Sequence, residues 1–269
     1  MPYLFLTSAS ALLCQTLGTV LLCLALLIPS APAYAQWTVA VLPFEDRSQD
    51  AQWSWLSNGI PDLVTNQFYK VPRILVLGRA RMQHVLGNDW HRLSVRPDLA
   101  NQLKVEMVIQ GSYRVSGKEI EIQADVLDIR KGKSLNKLRG KASIQDLFSA
   151  FDPILFSLSQ TLAVDLLPAE KTGLQTHPTR TIEAFRASGE AVRILLNSFA
   201  QDPPDQGLLQ QAESGFKRAI TLDPHYADPQ FQLGQVYELR GDFQQAERAY
   251  RVALKADMHH VDARFFLGR

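Results

Sequence analysis

The hydrophobic positions of this chain change their spacing twice. Residues 1–35 are predominantly apolar and contain no Asp, Glu, Lys or Arg. From Trp37 to about Leu162 short apolar runs alternate with helical stripes, and beyond Thr181 the spacing is helical only. Residues 37–42 form a run of strand formers stopped by Pro43, and the lack of alternation predicts a strand buried on both faces. Ile60, Leu63, Val64 and Phe68 recur at helical spacing, with Pro61 tolerable near a helix start, and residues 74–77 supply a second buried strand, making a β-α-β unit. Residues 108–115 and 119–129 read as a hairpin about Ser116-Gly117. Its second arm alternates Ile120, Ile122, Ala124 and Val126 with Glu119, Glu121, Gln123 and Asp125, so one face is wet. A third strand over 135–142 returns after Lys131-Gly132-Lys133, and Asp152-Pro153 opens a helix striped by Ile154, Leu155, Leu158 and Leu162. Residues 168–180 carry Pro168, Gly173 and Pro178 without hydrophobic periodicity and read as a linker.

The amino terminus is a separate object. Residues 20–28 are uninterruptedly apolar and are followed by Pro29 and by Ala33-Tyr34-Ala35, the small-x-small pattern of a secretory signal peptide cleaved before Gln36. An uncleaved anchor is the rival, because residues 11–28 nearly match a hydrocarbon layer of ~30 Å at ~1.5 Å per residue, although Gln15, Thr16 and Thr19 interrupt them. Both cysteines, Cys14 and Cys23, lie in this stretch, each after a leucine, which disfavours lipidation. The remaining chain has no thiol for nucleophilic catalysis, a thiolate metal site or a disulfide. With 28 Lys and Arg against 27 Asp and Glu, the net charge of +1 argues against a bulk electrostatic nucleic-acid binder.

The stretch VAVLPF at residues 39–44, the acidic Glu45-Asp46 after it and QGSYRVSGKEIEIQADVLDIRKGK at residues 110–133 resemble the TolB-like amino-terminal domain over residues 37–168. The resemblance implies a mixed sheet with flanking helices, set ahead of tetratricopeptide repeats as in bacterial envelope proteins. The second part carries a repeat of its own. A shift of 34 residues aligns Phe231 with Phe265, Leu233 with Leu267 and Gly234 with Gly268, and in the other direction Ala246 with Ala212, Tyr250 with Phe216 and Ala253 with Ala219. That period resembles the tetratricopeptide (TPR) repeat, two antiparallel helices packed through small residues. A degenerate first unit begins near Thr181, with about eleven residues inserted around Asp202–Asp205, and a last, incomplete unit occupies 261–269. The predicted organisation is therefore a signal peptide or anchor over 1–35, an α/β domain over 36–168, a linker over 169–180 and an all-α TPR solenoid over 181–269.

Catalytic constellations are not found. Residues 111–118 imitate a phosphate loop but have one residue too many between the glycines and Glu119 where Ser or Thr is needed. His259 and His260 point apart on a helix and do not share a metal. Glu45-Asp46 follows a buried strand, where α/β folds often bind ligands. No cofactor or metal is implied. In TPR proteins the first helix of each pair lines the groove, so the resemblance points to Asp228, Phe231, Gln235, Glu238, Asp262, Phe265 and Arg269 as partner-binding residues; packing of Phe231 and Phe265 between repeats is the alternative. The expected function is a non-enzymatic periplasmic scaffold that binds protein partners in the cell envelope, with membrane contact only if residues 1–35 are retained. The alternative is a ligand-sensing or regulatory subunit of an enzyme or signalling system.

The first prediction concerns processing: intact-mass measurement of protein from its native host should give a chain beginning at Gln36. A mass that includes residues 1–35 would place the protein in the anchored class.

Overall fold

The central strand β1 (Trp37–Val41) is apolar on both faces because it separates two cores. Val39 and Val41 face one, and Ala40 with the following Leu42 faces the other. In the computed structural model, which describes residues 37–92, 96–179, 181–199 and 202–269, β1 pairs in parallel with β3 (Ile74–Leu77) and β4 (Met107–Ser116). Strand β2 (Glu45–Asp46) is a short parallel partner of β4. Strands β5 (Glu119–Asp128) and β6 (Lys133–Ser143) extend the sheet antiparallel, giving the order β3-β1-β4-β5-β6. The turn between β4 and β5 needs Gly117, whose φ is +60°. The signal-peptide reading of 1–35 lies outside the described residues.

Helix α1 (Leu56–Phe68) connects β1 to β3 and lies on one face of the sheet beside α4 (Asp152–Thr161), burying Leu56, Ile60, Leu63, Val64 and Phe68. The opposite face is covered only over β1 and the first half of β4, by α2 (Arg79–Leu86) and α3 (Pro97–Gln102) with the intervening turn of Trp90. Beyond Ile109 that face of β4, β5 and β6 is polar, as the alternation of 119–126 predicts.

The remaining helices are α5 (Pro168–Leu174), α6 (Ile182–Ser198), α7 (Gln206–Leu222), α8 (Ala227–Leu239), α9 (Phe243–Ala256) and α10 (Val261–Leu267). Helices α6 and α7 pack as a pair, as do α8 and α9, and α10 lies on α9 through Ala253, Ala263 and Phe266. Gly234 allows close pairing, since a Cβ there would lie 2.4 Å from the Tyr250 ring. The insertion after the first helix is divided between a longer α6, 17 residues against 13 in α8, and the loop that follows it.

Two expectations are corrected. The stretch 168–180 is not an aperiodic linker throughout, because α5 occupies its first half. Tertiary partners supply what its own sequence lacks: Arg73 pairs with Glu170, Gln67 Nε2 donates to the Leu174 carbonyl at 2.5 Å, and Lys70 Nζ donates to the carbonyls of Gly173 and Thr176. Nor are the two parts separate bodies, because Gln36–Arg269 forms one compact unit. Ala184, Phe185 and Tyr226 belong to the same core as α1 and the sheet. Trp55, 1% exposed, sits edge-on to Phe185 at 5.3 Å and fills the space over Gly189 of α6.

A Cβ at Gly189 would lie 2.5 Å from Trp55 Cε3, a contact the packed indole cannot relieve by rotating. Gly189→Ala should therefore destabilise by about 1–3 kcal/mol. Tryptophan fluorescence and far-ultraviolet dichroism should report one coincident unfolding transition, shifted in the variant. Two separated transitions would mean that the shared core does not couple the parts.

Candidate functional site

Where the first part meets the helical array, the seam is charged and largely buried. Helix α1 contributes Asp62 and Asn66, the start of α2 contributes Arg79 and Arg81, and the first turns of α8 and α10 contribute Asp228 and Asp262. Asp228 and Asp262 are 34 residues apart, as are Tyr226 and His260 just before them, so one repeat position meets the α/β part twice. Arg79 pairs with Asp62 at 3.1 Å, Arg81 with Asp262 at 2.7 Å, and His260 Nε2 donates to Asp228 Oδ1 at 3.1 Å. Asn66 Nδ2 donates to the other Asp228 oxygen at 2.5 Å. His260 Nδ1 also accepts the Ala263 N–H at 3.2 Å and so caps α10. Gly78, which precedes α2, leaves room for Asp262: a Cβ there would lie 1.8 Å from its Oδ2.

Burial governs the protonation of this seam. It raises the Asp62 carboxyl to about 6, the opposing charge of Arg79 being insufficient and those of Asp228 and Asp262 adding to the rise. For His260 burial favours the neutral ring, but the hydrogen bond and charge of Asp228, with Asp262 and Asp257, prevail and raise its pKa. Burial and the charges of Asp262 and Asp228 hold the Tyr69 and Tyr226 hydroxyls well above their ordinary values.

The seven residues expected to face a partner are split by this arrangement. Asp228 and Asp262 are spent within the chain. Phe231, 1% exposed, packs against Tyr250, His260 and Phe266 at ring distances of 5.7, 4.9 and 5.6 Å, so its place is in the core rather than in an open groove. Ala80 of α2 joins the same cluster, which means that the α/β part itself occupies that stretch of the array. Gln235, Glu238 and Arg269 instead line a cavity of about 440 Å³ between α2 and the helices. Its walls are Leu195, Phe199, Leu239, Phe243 and Phe266, with Gln83 and His84 from α2. Glu238 accepts from the Tyr250 hydroxyl at 2.7 Å and pairs with Arg269, whose guanidinium lies 4.5 Å from the centre of the Phe266 ring. The buried Gln235 Oε1 has no hydrogen-bond partner. Phe243 stands 69% exposed at the cavity, and Phe265, 39% exposed, lies edge-on to His84 at 6.4 Å. The sequence reading did not include the contribution of α2, whose single turn-long apolar signal gives no hint of a tertiary partner.

Glu45 and Asp46 do not converge on a site: Glu45 pairs with Arg47 at 2.8 Å, and Asp46 accepts the Ser48 N–H at 2.8 Å. Among the described residues no group of three or more His, Cys, Asp or Glu could hold a metal ion, and no helix is long and apolar enough to cross a membrane.

The protonation of the seam gives a pH dependence whose sign is fixed. Asp62 has a folded pKa near 6 against 3.8 in an unfolded chain, so the folded state holds this proton more tightly and stability falls as pH rises between those values. A shift of that size corresponds to about 3 kcal/mol. His260, also raised, contributes stability that is complete below 6.5 and is lost as pH rises through its folded value. In melting curves across pH, Asp62→Asn should flatten the part of the profile between 3.8 and about 6 and His260→Gln the part above 6.5. Profiles parallel to that of the parent protein would show that neither group titrates in the seam.

No protein-family model matches the chain. A protein of Rhizobium meliloti (strain 1021) named "Putative adenylate cyclase 3" is 26% identical over 160 residues, which are 58% of this chain and 26% of that protein, so the match spans about a quarter of the relative's length. Among solved structures, the chain is similar to the LpoB C-terminal domain from Escherichia coli at 11% identity and a TM-score of 0.31, covering 45% of this chain and 93% of that one. TolB from Acinetobacter baumannii gives 12% identity and a TM-score of 0.32, covering 47% of this chain and 28% of that one. A lipoprotein from Neisseria meningitidis gives 17% identity and a TM-score of 0.32, covering 48% of this chain and 99% of that one.

Proposed function

We propose that the protein is a non-catalytic interaction module of the cell envelope, exported by residues 1–35, in which a TPR-type helical array joined to a TolB-like α/β part recruits a protein partner. The observation that carries this reading is the cavity between α2 and the array. It combines apolar walls of Phe199, Phe243 and Phe266 with the polar side chains of Gln235, Glu238 and Arg269. A cavity of some hundreds of Å³ with few convergent polar groups suits a bulky apolar side chain of a peptide. Phe243 and Phe265 supply exposed aromatic surface beside it, of the kind that anchors interfaces. The alternation of apolar ring and polar head groups, Phe266 with Arg269 and Tyr250 with Glu238, supports recognition of a peptide segment.

A photoreactive amino acid placed at position 243 in intact cells should crosslink a defined protein. Gln235→Ala or Arg269→Glu should reduce that yield several-fold. The melting temperature of Gln235→Ala should stay within about 2 °C, whereas Arg269→Glu also breaks the Glu238 pair and the Phe266 contact, so its yield is compared at a temperature where both chains are folded. Equal crosslinking in both variants, or crosslinks only from the sheet face, would remove the groove from the interaction.

A further inference from the structure

The sheet ends in a free edge. Strand β6 is eleven residues long, about twice the usual strand length, and among the described residues no strand lies beyond it. Apart from its ladder with β5, residues 133–143 make no backbone–backbone hydrogen bond among the described residues. Gly140 keeps the strand flush on the body, since a Cβ there would lie 2.2 Å from the Ala150 carbonyl oxygen. Leu138 points into the core, while Lys137, Arg139 and Lys141 are exposed on the opposite, bare face of the sheet.

The charge pattern of this edge is read once already, from inside. The residues opposite Lys137, Arg139 and Lys141 on β5 are Asp125, Gln123 and Glu121. Lys141 pairs with Glu119 at 2.9 Å. The Asp125 carboxylate accepts instead from Ser134 Oγ at 2.5 Å, and Arg139 faces an amide. Among the described residues no carboxylate pairs with Lys137 or Arg139. Both border an open depression of about 590 Å³ with Gln110, Ser112 and Gln123; the carboxylates of that depression, Glu45 and Asp125, are engaged with Arg47 and Ser134.

We propose that the outer edge of β6 is a docking site for an extended acidic peptide segment, which adds as a seventh strand and sets carboxylates at alternate positions beside Lys137 and Arg139. Main-chain hydrogen bonds to the unpaired edge supply affinity, and the two unneutralised cations supply selection. Cations on an edge also discourage self-pairing, and a second copy of β6 laid beside the first would bring like charges together. The same feature therefore rejects another copy of the chain and accepts an acidic strand. This surface is distinct from the helical cavity and is tested without it.

The probe is a fluorescein-labelled peptide with the sequence of residues 119–128, EIEIQADVLD, the pattern β6 already pairs with. Added to the full chain, it should raise fluorescence anisotropy saturably, and amide hydrogen exchange should slow within 133–143. The double variant K137E/R139E should bind it roughly tenfold more weakly and bind a peptide with its acidic residues changed to lysine better than the parent does. That rescue separates recognition from damage to the fold. Absence of saturable binding, protection elsewhere in the chain, or equal affinity in the double variant would overturn the proposal, and so would concentration-dependent dimerisation protecting β6 without peptide. Binding that survives Arg269→Glu but not K137E/R139E supports the edge whatever becomes of the groove.

Discussion

Three carboxylates, Asp62, Asp228 and Asp262, and their four partners, Arg79, Arg81, His260 and Asn66, largely buried between α1, α2, α8 and α10, determine how the halves of this protein meet. Such pairs cost much of their Coulomb energy in desolvation, so their weight lies less in net stability than in what they forbid. Breaking one pair strands a buried charge, at about 3–5 kcal/mol. A slide of the array by one repeat would put Asp262 where Asp228 belongs and leave Arg81 without its carboxylate. The seam thus fixes register, while Trp55 against Gly189 and Phe185 supplies the apolar burial that holds the surfaces together.

The seam also covers part of the helical array. The face that carries Phe231 and Asp262 receives α2, with Ala80 in the aromatic cluster and Arg81 on Asp262. What remains beyond α2 is the cavity at Gln235, Glu238 and Arg269. The bare half of the sheet is the second surface left uncovered. Helices α2 and α3 stop short of it, and its side chains alternate charge instead of apolarity. The absorption of α5 into the compact unit removes the flexible joint that residues 168–180 suggest.

Local pattern determined most of the elements. The unbroken apolarity of 37–42, the alternation of 119–126 and the helical stripes beyond Thr181 each follow from burial on two faces, on one face, or along one stripe, and β1, β5 and α6–α10 lie where those patterns put them. The 34-residue period also located the positions 228 and 262 that matter. Tertiary structure alone decided what those positions do. A sequence shows that Asp228 and Phe231 share a helix face and that Asp262 recurs at the Asp228 position one repeat later, but not which surface covers them, because Asn66 and Arg81 come from about 160 and 180 residues earlier in the chain. The same holds for α5, whose residues lack periodicity and take their order from Arg73, Gln67 and Lys70 of α1 and its flank. Short-range spacing encodes burial; the identity of the partner across a buried face is a long-range fact, settled only when the faces close.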